Sequence, residues 1–130
     1  MLLFVGFGRA LGTIWLIRPG IELIVGRKGV PLLIERDNSV SRKHATLYVD
    51  PKDPIEISMT DDGSKFGVYI NGRRCAAGAQ STICIGDKVT FGGQGSTFEL
   101  RECRVSFCIA NVHSGMETHV SSVHTDAELL

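Results

Sequence analysis

Arg27, Ser41, Arg42, Lys43, His44 and Lys65 are the residues whose types and spacing can do chemistry in this chain. They fall in three polar clusters: Gly26-Arg27-Lys28, Ser39-Val40-Ser41-Arg42-Lys43-His44, and the stretch from Asp61 to Gly72 that holds Lys65, Phe66 and Gly67. The second cluster runs straight into Ala45-Thr46-Leu47-Tyr48-Val49, whose alternation is that of a strand. A turn needs no hydroxyl, two cations and an imidazole at the mouth of a strand. An anion does. A phosphate on a side chain carries roughly −1.5 to −2 charge and three acceptor oxygens. A guanidinium can engage two of them at once, an ammonium adds a point charge, and a serine hydroxyl or a glycine-permitted N–H takes the rest.

Other chemistries fit less well. A hydrolase using Ser41 and His44 would want a nucleophile elbow and a third, acidic member, and the sequence offers neither. Cys75, Cys84, Cys103 and Cys108 have no paired or zinc-type spacing, so they are expected to be reduced thiols in an intracellular protein. His113, His119 and His124 do not have the three- or four-residue separation of helical metal ligands, and no metal site is expected. Gly6-x-Gly8-x-x-x-Gly12 imitates a dinucleotide fingerprint, but Thr13, Ile14 and then Pro19-Gly20 forbid the helix that such a motif requires. The apolar start, Met1 to Ile17, lacks a cationic head and carries Arg9, which argues against a targeting peptide. The same interruptions argue against a membrane span, so no membrane partner is expected.

The elements that must position the clusters read as strands. The chain has 130 residues, 43% hydrophobic and 22% charged, which suits one globular domain. Fourteen basic residues balance fourteen acidic ones, so no overall field recruits nucleic acid, and a bound anion must be held locally. Strand-like runs occupy 12–18, 21–27, 30–35, 44–49, 55–61, 67–72, 81–92 and 96–103, with glycine-containing turns at 62–64, 71–72, 86–87 and 92–95. Short strands at this spacing, without a helical pattern between them, predict an all-β sandwich or barrel. Loops at one end of a sandwich gather into a single surface. The three clusters are therefore expected to converge. From Cys103 the character changes, and the stretch to Leu130 reads as a strand, a Ser-Gly break and an incipient helix with Met116, Val120, Val123 and Leu130 on one face. It ends mid-pattern, as though continuing into something larger.

Gly26-Arg27, Ser41-Arg42-Lys43-His44, Gly67 and Asn71-Gly72, in that order on an all-β chain, resemble the signature of the forkhead-associated (FHA) family. The resemblance covers residues 13–102 and implies a β-sandwich of about eleven strands, built as two packed layers. It also implies a module that binds phosphothreonine-containing proteins through its loops, with no catalysis and no cofactor. Carried across, Arg27 and Ser41 hold the phosphate, Arg42 and Lys43 add cations, and Lys65, Phe66 and Gly67 form the third contact loop. Gly26, His44 and Asn71 take supporting roles, the histidine bracing the loop so that Ser41 faces outward.

One departure matters. The third loop of the family usually reads Ser-x-Asn-Gly-Thr, and Ser64-Lys65-Phe66-Gly67-Val68 puts a phenylalanine where the asparagine would clasp the peptide backbone. A Lys-aromatic-Gly loop resembles the branch of the family found in nuclear scaffolds of double-strand-break repair, partners of a nuclease complex through regions that lie elsewhere. In that branch an FHA domain runs directly into a BRCT repeat, and residues 103–130 resemble the opening of one, a short truncated α/β tail. Residues 1–12 are read as an N-terminal segment of uncertain order. With the asparagine gone, the alternative is an FHA-like sandwich that binds partners independently of phosphate.

Overall fold

The computed structural model describes residues 1–103; the BRCT-like reading of 104–130, with His113, His119 and His124, lies outside the described residues. Eleven strands form two sheets. They are β1 (Leu2–Gly8), β2 (Ile14–Ile17), β3 (Leu23–Gly26), β4 (Leu32–Leu33), β5 (Ala45–Tyr48), β6 (Glu56–Asp61), β7 (Val68–Ile70), β8 (Arg73–Arg74), β9 (Gln80–Cys84), β10 (Lys88–Phe91) and β11 (Ser96–Glu102). One sheet runs β2-β1-β11-β10-β7-β8 and the other β4-β3-β5-β6-β9. Every pairing is antiparallel except β3 with β4, where Val25 lies opposite Leu32. This all-β sandwich is the architecture expected from the strand spacing.

The inner faces supply the core. Phe4, Trp15, Phe91 and Phe98 meet between the sheets, with Trp15 stacked on Phe98 at a centroid distance of 4.1 Å and Phe4 edge-on to both. Such rings bury roughly 150–250 Å² each, and their edge-to-face packing fixes register as well as burying area. Leu47, Ile57, Met59 and Ile83 fill the opposite wall. His44 joins this apolar layer, its ring edge-on to Phe91 at 6.1 Å.

The first twelve residues correct the sequence reading. Leu2–Gly8 is not of uncertain order but a strand paired on both sides, with Leu2 opposite Ile17 and Glu102. Alternation fails to reveal it because the outward positions Leu3, Val5 and Phe7 are as apolar as the buried Leu2 and Phe4. The glycines that imitate a dinucleotide fingerprint lie on this strand and the turn after it, where the Gly6 N–H donates to the Thr13 carbonyl at 2.8 Å. No helix follows them. The run at 30–35 is also shorter as a strand than expected, reduced to two residues after Pro31.

Candidate functional site

The β3–β4, β4–β5, β6–β7 and β10–β11 loops, of which only β6–β7 crosses between the sheets, are tied together by hydrogen bonds. The Arg27 N–H donates to the Ser41 carbonyl at 3.0 Å, and the Gly92 N–H to the Gly67 carbonyl at 2.9 Å. Gly26 lets the first two loops touch. A Cβ there would lie 1.8 Å from the Arg42 carbonyl oxygen, a backbone atom with nowhere to go.

Arg27 is half-buried, and its Nε donates to the Val40 carbonyl at 2.9 Å. This bond fixes the plane of the guanidinium and leaves its two terminal nitrogens for another acceptor. Ser41 presents its Oγ to the third loop, where it accepts the Lys65 N–H at 3.3 Å. Its hydroxyl hydrogen remains available to an anion. Arg27, Ser41 and the backbone of Lys65 therefore stand together. Arg42, Lys43 and Lys65 are exposed around them. Among the described residues the one ion pair joins Arg101 and Glu99, so the cations around the site have no carboxylate partner.

His44 is fully buried, and both ring nitrogens are engaged. Nδ1 accepts the Ser41 N–H at 3.0 Å, which requires Nε2 to carry the hydrogen that it donates to the Gly67 carbonyl at 2.7 Å. The imidazole thus braces the second loop against the third. It holds the backbone of Ser41 rather than its hydroxyl, with no lone pair left over, so it cannot act as a base toward the Ser41 Oγ.

Gly67 lies at φ +83°, a conformation that a side chain resists, and the Arg74 guanidinium packs against its α-carbon. Phe66 is 42% exposed, lies against Gly93, and has the Lys65 ammonium 5.5 Å from its ring centre. Asn71 stands apart. It occupies the far end of β7 from Gly67, where its amide donates to the Asp87 carboxylate at 2.9 Å and its Oδ1 accepts the Lys88 N–H. Its expected support of the site becomes support of the β7–β8 turn, because β7 runs away from the loops.

Sequence reasoning overlooked two acid-centred braces. The Asp61 carboxylate accepts the Gly63 and Ser64 N–H groups and the Ser64 hydroxyl, which in turn accepts the Gly67 N–H at 3.0 Å. The wholly buried Asp37 accepts the Ser39 N–H at 2.9 Å and the hydroxyls of Ser39 and Ser96, while Ser39 Oγ accepts the Gly93 N–H at 2.8 Å. Burial would push the Asp37 carboxyl up, but the Ser39 and Ser96 hydrogen bonds and the Arg9 charge outweigh it and hold the group below the usual carboxylate value. The visible signal was Asp-x-Ser and Asp-x-x-Ser, acceptors spaced to close turns on their own backbone.

The family model for the FHA domain matches residues 23–92. The chain is 42% identical over 88 residues to rat (Rattus norvegicus) nibrin, a match covering 62% of this chain and 12% of that protein. The chain therefore spans about an eighth of the length of this curated relative. Among solved structures, the FHA domain of the CT664 protein from Chlamydia trachomatis is 27% identical with a TM-score of 0.67, over 78% of this chain and 97% of that one. The N-terminal FHA domain of Saccharomyces cerevisiae Rad53p, solved with a phosphothreonine peptide, shares the fold at a TM-score of 0.68 and 13% identity, over 78% of this chain and 93% of that one. With its family match, its two sheets and its loop signature in place, this chain belongs to the FHA domain family.

Proposed function

We propose that this chain reads phosphothreonine in partner proteins, as the FHA module of a nibrin-like double-strand-break repair scaffold that works in the nucleus. The observation that carries the reading is the joining of Arg27 and Ser41 across two loops, with the Arg27 guanidinium oriented by Val40 and uncompensated by any described carboxylate. Arg27 supplies paired donors to the phosphate and Ser41 a hydroxyl, while the exposed Lys65 ammonium adds attraction at longer range. Arg42, Lys43 and Lys65 surround that point with positive charge and favour acidic neighbours of the phosphothreonine, whereas Arg73 pairs with Ile70 at the end of β7 that leads away from it. Arg74 contributes less, because it is packed against Tyr69 and Gly67. Association with a repair nuclease complex belongs to regions of such a scaffold outside this chain.

Titration with a phosphothreonine peptide and its unmodified twin tests the reading. The phosphorylated form is expected to bind, and Arg27→Ala to weaken it about tenfold or more, since each charge-assisted bond is worth about 1.5–3 kcal/mol. Equal affinity for the twins rejects it.

The exposed Phe66 favours a second reading, in which partners dock on this loop surface without phosphate. In that case phosphatase treatment of the partner leaves binding unchanged, while Phe66→Ala abolishes it.

A further inference from the structure

We propose that Asp37 is a positioning residue for the phosphate site, acting through Arg27 rather than touching the ligand; the inference rests on the phosphothreonine reading above. Asp37 lies outside all three motif clusters, and its side chain faces the interior between the β4–β5 loop and the β10–β11 turn. Its carboxylate collects the N–H and hydroxyl of Ser39 and the hydroxyl of Ser96. Its carbonyl accepts the Val40 N–H at 3.0 Å, closing a turn from Asp37 to Val40. The carbonyl at the end of that turn is the one that accepts Arg27 Nε. A path of hydrogen bonds thus runs from a buried carboxylate, through one turn, to the direction in which the guanidinium points.

The far side of the turn is pinned as firmly. Ser39 Oγ accepts the Gly93 N–H, and a Cβ on Gly92 would come within 2.5 Å of that oxygen. Residues 37–40 are therefore clamped between the β10–β11 turn and Arg27, and cannot rotate without breaking several bonds. Arg9 is the cation facing this group from the β1–β2 turn, with its guanidinium on the Arg36 carbonyl at 3.1 Å. A buried anion with this many donors is a costly arrangement unless the geometry it enforces is used. The use assigned here is aim. A guanidinium free to swing loses the two-oxygen engagement that distinguishes it from a lysine.

The experiment uses the full chain and blocked phosphothreonine (N-acetyl, N-methylamide) as probe. In Asp37→Asn, exchange of the Arg27 Nε–H with water, followed by NMR, is expected to speed up about tenfold as the Val40 bond loosens. Affinity for the probe is expected to fall several-fold in an otherwise unchanged chain, and by less than about twofold when Arg27 is already alanine. Unchanged exchange, or losses that multiply in the double variant, overturns the inference. Should Asp37→Asn fail to fold, Ser96→Ala removes one bond and leaves the carboxylate; a smaller acceleration of the same signal supports the inference, and none overturns it. If the unaltered chain ignores the probe, the phosphothreonine reading falls, while the Arg27 Nε–H exchange still decides whether Asp37 aims the guanidinium.

Discussion

The His44 ring reaches across the site to Gly67, donating from Nε2 to its carbonyl at 2.7 Å while the other nitrogen receives the Ser41 N–H. Two loops distant in sequence are thereby fixed by one neutral side chain inside the core. His44→Ala leaves a half-buried N–H and a buried carbonyl without partners and opens a void beside Phe91. Unsatisfied groups cost about 1–3 kcal/mol each, so a total near 3 kcal/mol is expected. The melting temperature should fall by roughly 12–20 °C for a domain of this size. A loss below about 1 kcal/mol in denaturant titration would show that the brace is dispensable.

Gly26 is required for a different reason. Its backbone conformation suits any residue, yet a methyl group would be driven into the Arg42 carbonyl. Gly26→Ala must therefore part the first two loops, at a cost of about 2–3 kcal/mol in strain. Phosphopeptide affinity is expected to drop along with stability, since Arg27 is the next residue. A folded variant of unaltered affinity would mean that the loops separate without moving Arg27.

Asp37 makes stability depend on acid. Its folded-state pKa is held below its ordinary value, so the folded protein binds its proton less readily than the unfolded chain does. The stabilisation is fully present above about pH 4 and is lost as pH falls through the lower, folded-state value. Asp37→Asn should be less stable than the unaltered chain at pH 7, and the gap should narrow below about pH 4. Parallel stability curves from pH 7 to pH 2.5 would remove Asp37 from the acid response.

How much of this was legible depends on which physics writes into sequence. The strands β5, β6, β10 and β11 announce themselves because polar residues mark their outward positions. β1 does not, being apolar on both faces. The convergence of the loops was readable because Arg27 and Lys65 stand between glycines, and Ser41 heads a polar run at the mouth of a strand, where such side chains serve no core. Asp37 and Asp61 were not, since an aspartate in a turn-rich stretch looks the same whether it is solvated or wholly buried. Asn71 misled because the pattern gives its order in the chain but not which end of a three-residue strand it occupies.

The exposed cations should act differently from Arg27, and salt separates them. Arg27 is half-buried and held by Val40, whereas Lys43 and Lys65 stand in solvent. Their contribution is long-range attraction, screened over about 8 Å at physiological ionic strength and about 3 Å at 1 M. Lys65→Glu is expected to weaken a phosphothreonine peptide with acidic flanks severalfold at low salt, a neutral-flanked one much less, and the difference should vanish near 1 M salt. Arg27→Ala should weaken both peptides alike and retain most of its effect in salt, because a desolvated, two-oxygen contact is poorly screened. Calorimetric titration of the two peptides at two salt concentrations decides it. Should Lys65→Glu act equally on both peptides at both concentrations, Lys65 touches the phosphate itself, and the preference for acidic flanks must be sought at Arg42 or Lys43.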